Sequence, residues 1–299
     1  MIDWFIYILS QALGYCKIRS SGIVNCHGIT RFPENGNYAM VLNHILDGNL
    51  REYLQKNHSK LTLKDRIIIF NCICESLDDI HEKDLIHCDL HSGNIVVHTS
   101  GACYITDLGL CGPVDDESSN KIYGIVPYIA PELFCGKKNT KETDVYSVGM
   151  LMWEIFAGNP PFDDRAHDKN MILDILLNGA RPPILPEIPD DYAQMMQKCW
   201  DMDPSKRPTI RELYRFSHKK LGESYKTKNL DNNSNSSGYI SGGSNSNSNN
   251  NSQQVHKSHP LAYHTSRILE DEIAKLNLKS NDSLLSDLDA SSFIDSRLK

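Results

Sequence analysis

The sequence predicts an α+β fold: a short β-hairpin near the start, a mostly helical body, and a polar tail expected to be disordered. Three observations carry this. Two β-prone runs flank a turn at residues 31–37. Apolar residues recur at helical spacing over 63–83, and a second apolar helix pattern runs over 143–154. From about Leu230 to Gln254, Asn, Ser and Gly replace nearly all apolar residues. Such a stretch buries too little surface to offset its ordering entropy. The chain has 299 residues, 40% of them hydrophobic, which is enough for one large core. A formal charge of −7 makes no electrostatic case for nucleic acid or an anionic membrane as partner. The nine cysteines lack paired spacing, and Cys72 and Cys74 are too close to read as a metal pair. That pattern suits small core thiols in a reducing, cytoplasmic compartment.

Taken in order, the chain starts with an apolar run, Trp4 to Leu9, continued by Ala12, Leu13, Tyr15 and Cys16. The run is shorter than the roughly 20 residues a bilayer span needs. Asp3 precedes it and no basic residue does, which makes a poor signal peptide. A helix packed on the hairpin is expected over 1–22, with no stable membrane insertion. Residues 23–30 read as a strand ending near Gly28, Pro33, Asn35 and Gly36 as a turn, and 38–42 as the second strand. Gly48 and Asn49 break the pattern and open a helix over 51–57. Ile67, Ile68, Phe70, Ile73, Leu77 and Ile80 mark one long amphipathic helix. Thr143 or Asp144 is the expected cap of the next helix, and Pro160 and Pro161 end it. In the tail, Ile268, Leu269, Ile273, Leu276 and Leu278 predict a short helix over 264–278 that buries little.

The chemistry concentrates in Ile86-His87-Cys88-Asp89-Leu90-His91-Ser92-Gly93-Asn94-Ile95-Val96-Val97. A carboxylate in such a loop can accept a proton or orient a hydroxyl, and an amide oxygen can ligate a hard cation. Tyr104-Ile105-Thr106-Asp107-Leu108-Gly109 and Ala130-Pro131-Glu132 follow. Any of these Asp or Asn residues alone reads as turn-forming. Together, in this order and spacing, they resemble the protein-kinase set H-R-D-L-x-x-x-N, D-F-G and A-P-E. The stretch from Cys199-Trp200 to Arg207-Pro208-Thr209 resembles the large-lobe end of the tyrosine-kinase-like branch.

The resemblance implies a kinase-like fold and a signalling transferase that moves the γ-phosphate of ATP, with Mg2+, to a protein hydroxyl, Ser/Thr favoured. It implies a kinase domain over 23–222: small-lobe hairpin and hinge at 23–45, large lobe at 46–222, with 1–22 before it and the tail at 223–299. Asp89 is then the acceptor of the hydroxyl proton, and Asn94 and Asp107 the magnesium ligands. Leu42 takes the gatekeeper position, Asn43 and Ile45 offer backbone groups to adenine, Asn49 lies near the ribose and Val96 forms the floor. Asp144 would fix the catalytic loop, and Arg207 would pair with Glu132. The activation segment holds Asp115, Asp116, Glu117, Ser118, Ser119 and Tyr123.

This sequence also departs from the pattern. Cys88 stands where an Arg normally grips an activation-loop phosphate, Leu108 replaces the Phe of D-F-G, and Ile125 replaces a usual Thr. His91 stands where Ser/Thr kinases usually carry Lys and tyrosine kinases Ala or Arg. No G-x-G-x-x-G and no V-A-I-K equivalent precedes residue 23, Lys17 is too close to the strand to serve, and no glutamate precedes Glu34. The expectation is a small lobe cut short and weak transfer. The alternatives are a pseudokinase-like binding module and a fragment of a longer kinase. Neither the protein substrate nor the oligomeric state is legible.

Overall fold

In the computed structural model the described residues are 2–18, 20–98, 101–113, 122–234 and 258–269. Helix α1 (Ile2–Lys17) is followed by β1 (Cys26–Arg31) and β2 (Tyr38–Leu42), an antiparallel hairpin with Gly28 opposite Val41 and Arg31 opposite Tyr38. The strand expected from residue 23 to near Gly28 starts at Cys26 and continues to Arg31. Ile23 instead bridges Ile105 in parallel, and the Val24 N–H donates to the Ile105 carbonyl at 3.1 Å. Helix α1 packs on this hairpin, as its apolar run predicts, and also on the turn after Asp107. Gly14 allows that approach: a Cβ there would lie 2.8 Å from the Leu108 carbonyl oxygen.

Helix α2 (Leu50–Asn57) is capped by Asn49, whose side-chain oxygen accepts from the Glu52 N–H. Helix α3 (Leu63–His81) opens with a capping box between Thr62 and Asp65. It buries Ile67, Phe70, Ile73, Leu77 and Ile80, the spacing read from sequence, and also Ile69 and Cys74. The strands β3 (Leu85–Ile86), β4 (Ile95–Val97), β5 (Cys103–Ile105), β6 (Gly112–Pro113) and β7 (Tyr123–Gly124) are short. β4 pairs antiparallel with β5, and β3 with β6.

After α4 (Pro131–Phe134) comes α5 (Lys141–Ala157), buried from Thr143 to Phe156. Its cap is Thr140 rather than Thr143 or Asp144, because Thr143 closes the capping box from inside the first turn. That leaves the Asp144 carboxylate available for the catalytic loop. Gly158, at φ 76°, ends the helix before Pro160. Helices α6 (Lys169–Leu177), α7 (Asp190–Cys199) and α8 (Ile210–Ser234) complete the large lobe. Tyr192 on α7 meets Phe70 of α3 and Phe156 of α5 at ring distances of 5.3 and 4.8 Å, which welds the three helices.

The tail departs most from expectation. Helix α8 continues to Ser234, past the boundary expected at 222. Lys64 lies over the Tyr225 ring at 3.5 Å, and Lys220 reaches Glu223 at 2.9 Å; such contacts hold a polar helical end on the surface. Most of the Asn/Ser-rich stretch, and 270–278 of the expected short helix, lie outside the described residues. In its described part that helix is not formed: β8 (Arg267–Ile268) pairs antiparallel with β7. Leu269 is fully buried in the core, so this part of the tail does not bury little. Pairing with β7 makes this stretch a strand, which the helical spacing of the tail does not reveal. Among the described residues no helix is long and apolar enough to cross a membrane.

Candidate active site

The loop carrying Asp89 follows β3 and is shaped by Asp144 from the start of α5. One Asp144 oxygen accepts from the His87 N–H at 2.8 Å and the His81 Nε2 at 2.9 Å, and the other from the Cys88 N–H at 3.1 Å. Cys88 has φ 69°, a left-handed conformation held by these bonds. The His87 ring ties the loop to the second motif, with Nε2 on the Thr106 carbonyl at 3.1 Å and Nδ1 accepting from the Asp89 N–H at 3.3 Å. Asn94 Nδ2 donates to the Asp89 carbonyl at 2.9 Å and to Asp89 Oδ2 at 3.3 Å. The Thr106 N–H donates to the Asn94 carbonyl at 2.9 Å, so the two motifs are directly coupled.

Asp107 sits at φ 60°, ψ 65°. Its N–H donates to the Tyr15 hydroxyl at 3.1 Å, and that hydroxyl lies 2.8 Å from Thr106 Oγ1. The Gln11 side chain donates to Asp107 Oδ1. Sequence reasoning missed both α1 residues. Their signal is the i, i+4 pair Gln11–Tyr15, polar-tipped groups on one face of an otherwise apolar helix. Asn94 and Asp107 offer one amide oxygen and one carboxylate. That set is too small for a protein-only cage and fits a magnesium ion that completes its shell with phosphate and water oxygens.

The other Asp89 oxygen, Oδ1, accepts from the Ser266 hydroxyl at 2.9 Å. His91 Nε2 lies 2.8 Å from the same Ser266 Oγ, while His91 Nδ1 accepts from the Gly93 N–H at 3.0 Å. A neutral ring therefore carries its proton on Nε2 and donates it to Ser266. Burial acts most strongly on Asp89 and opposes its ionisation. His91, the Ser266 hydroxyl and His87 outweigh it, so the carboxyl lies below its ordinary value.

The family model for protein tyrosine and serine/threonine kinases matches residues 7–216. The chain belongs to that family. A dual serine/threonine and tyrosine protein kinase of Homo sapiens is 32% identical over 192 residues, which covers 63% of this chain and 20% of that protein. The kinases of the same name from Canis lupus familiaris and Danio rerio are 32% and 30% identical over 192 residues. The chain thus spans about a fifth of the length of the curated relatives it matches. The match begins at residue 7, within α1. Protein kinases as a family use ATP and Mg2+.

On the expected nucleotide side of this kinase fold, Leu42 on β2 and Val96 on β4 are half-buried against the core, as is Ile45. The Asn43 N–H donates to the Asn25 carbonyl at 2.9 Å. Asn49 bridges Val96 through its backbone while its side chain caps α2. Asp115 to Ser119 lie outside the described residues. Ile125 is buried beside Asp89, and Gly124, at φ 140°, would bring a Cβ to 3.3 Å from Asp89 Oδ1.

His167, before α6, holds the tail segment. Its N–H donates to the Leu261 carbonyl at 2.9 Å, its Nδ1 accepts from the Tyr263 N–H at 3.1 Å, and its Nε2 faces the Phe162 carbonyl at 3.2 Å. Burial pushes its imidazole down to about 4. His264, Asp163 and Arg267 face it from the surrounding segments. Between about pH 6.5 and 4 the unfolded imidazole binds a proton that folded His167 refuses, so stability falls as pH drops through that window. Relative to His167→Gln, the parent chain should lose about 2 kcal/mol between pH 7 and 5. Thermal midpoints of both proteins at the two pH values test this. Burial raises the Glu154 carboxyl and so acts in the opposite sense, and the paired comparison removes that contribution. Equal losses in the two proteins would exclude His167 as the source.

Proposed function

We propose that this chain transfers the γ-phosphoryl group of ATP to a protein hydroxyl, serine or threonine in preference to tyrosine. The observation that carries the reading is the Asp89–Asn94 pair, with a serine hydroxyl 2.9 Å from Asp89 Oδ1. A hydroxyl at that distance is within reach of a general base. Asp89 orients the acceptor hydroxyl and takes its proton, Asn94 holds the Asp89 side chain, and His91 steadies the acceptor oxygen. Leu42 and Val96 would enclose the base, with Asn43 and Ile45 offering backbone groups and Asn49 near the ribose. Magnesium, held by Asn94 and Asp107, would neutralise charge on the phosphates. We assign 23–45 to the small-lobe hairpin and hinge and 46–222 to the large lobe.

This chain has no G-x-G-x-x-G, and a misplacement of phosphates by about 1 Å can cost roughly 10²-fold. The expected result is weak, magnesium-dependent ATP binding with turnover below the usual range of about 1–100 s⁻¹. Calorimetric titration of ATP with and without magnesium, beside a radiolabel assay on a generic protein acceptor, measures both. Turnover within that range would overturn the slow-transfer expectation. One observation favours the second reading, a binding module: the Gln11 amide occupies an Asp107 oxygen that magnesium needs. Absence of both magnesium-dependent binding and transfer would support it.

A further inference from the structure

The tail segment 258–269 crosses the face of the large lobe that carries Asp89, and it is anchored on both sides of Ser266. Upstream, the Ser258 hydroxyl donates to Asp163 Oδ2 at 2.7 Å, His264 Nε2 meets Asp163 Oδ1 at 2.9 Å, and Arg51 donates to the His264 carbonyl. Downstream, Arg267 and Ile268 pair antiparallel with Gly124 and Tyr123, and the Leu269 N–H donates to the Ile122 carbonyl at 3.0 Å. The Leu269 side chain is fully buried. Between these anchors the Ser266 hydroxyl lies on the Asp89 carboxylate, with His91 behind its oxygen. An extended peptide added to a free strand edge, with a buried apolar anchor and a polar group at the centre, is a recurring mode of peptide recognition.

We propose that this segment occupies the acceptor-peptide groove in cis and that Ser266 is an intramolecular phosphorylation site. The proposal rests on the phosphotransferase reading of Asp89. Ser266 Oγ attacks the γ-phosphorus of ATP. The new Oγ–P bond forms as the bond from the γ-phosphorus to the β–γ bridging oxygen breaks. ADP leaves with that electron pair, and the hydroxyl proton passes to Asp89 Oδ1. Gly124 is the residue this geometry requires on the partner strand, since a side chain there would crowd both Ile129 and Asp89 Oδ1. A tethered segment presents its acceptor at an effective concentration in the millimolar range. It therefore also excludes external acceptors until it leaves. A phosphate on Ser266 would bring its charge against Asp89 and favour release.

The test uses the full chain with ATP and magnesium, read by intact mass and phosphosite mapping over a tenfold range of protein concentration, with a generic protein acceptor assayed in parallel. The expected result is one phosphate on Ser266, formed with a rate constant independent of protein concentration and absent in Ser266→Ala. Leu269→Asp should eject the segment, abolish the modification, and raise transfer to an external peptide about tenfold or more. Hydrogen exchange at the Leu269 and Tyr263 amides reads the docking without any turnover. Slow exchange in the parent chain and fast exchange in Leu269→Asp support the seat, and fast exchange in the parent overturns it. Transfer to the external acceptor with Ser266 unmodified, or a rate that scales with protein concentration, overturns the cis assignment and leaves the kinase reading standing. No transfer to either acceptor overturns the kinase reading, and the assignment of Ser266 falls with it.

Discussion

Asp89→Asn should lower phosphoryl transfer to an external protein acceptor by about 10²–10⁴-fold, the usual worth of a positioned general base. The thermal midpoint should stay close to that of the parent chain. The substitution keeps the shape of the side chain and an oxygen within reach of Asn94 Nδ2, which now lies 2.9 Å from the Asp89 carbonyl and 3.3 Å from Oδ2. What it removes is the lone pair that takes the hydroxyl proton. ATP affinity should be unchanged, since Asp89 does not face the expected base or ribose positions. The pH profile gives a second reading of the same residue. While Ser266 is seated, His91, Ser266 and His87 hold the carboxyl below its ordinary value against burial, so the base form persists as pH falls during transfer to Ser266. The acid limb of the rate profile should therefore lie below the ordinary carboxylate range of about 4. His91→Ala removes the leading stabilising group and should move that limb to higher pH. Undiminished transfer in Asp89→Asn would exclude the residue as the base.

The catalytic loop was legible because its chemistry is local in sequence: Asp89 and Asn94 lie five positions apart and bond each other. The roles of Asp144 and Glu132 were legible through family resemblance, and the bonds are present. The long helix at 63–81 was legible because its burial follows a 3.6-residue period. What could not be read depends on groups far apart in the chain. Gln11 and Tyr15 reach Asp107 and Thr106 across more than ninety residues, and no pattern within α1 names that partner. Ser266 reaches Asp89 across 177 residues. The tail's apolar spacing fits a helix equally well, and its pairing with β7 makes it a strand. Thr140 displaced Thr143 as the cap of α5 because the capping box needs both threonines, one before the helix and one in its first turn.

Arg207→Ala should cost about 3–5 kcal/mol, the range for removing one partner of a buried ion pair. The Arg207 side chain is fully buried, and four of the five N–H groups of its guanidinium are engaged. It meets Glu132 through two parallel bonds of 2.7 and 2.8 Å, and it donates to the Glu142 and Asp201 carbonyls at 2.9 Å each. It also lies over the Tyr146 ring at 5.2 Å. Truncation leaves the Glu132 carboxylate, only 13% exposed, without its partner and strips two carbonyls of a donor, each an unmet bond in a dry site. For a domain of this size the midpoint should fall by roughly 10 °C. Arg207→Lys should recover little, because an ammonium cannot make the paired bonds. Replacing both residues, Arg207→Met with Glu132→Leu, should recover more than either single change, since apolar substitutes for a buried pair leave no stranded charge. Denaturant melts of the four proteins decide it. A loss under about 1 kcal/mol in Arg207→Ala would mean that water reaches Glu132 freely and that the bidentate pair contributes no more than a surface ion pair.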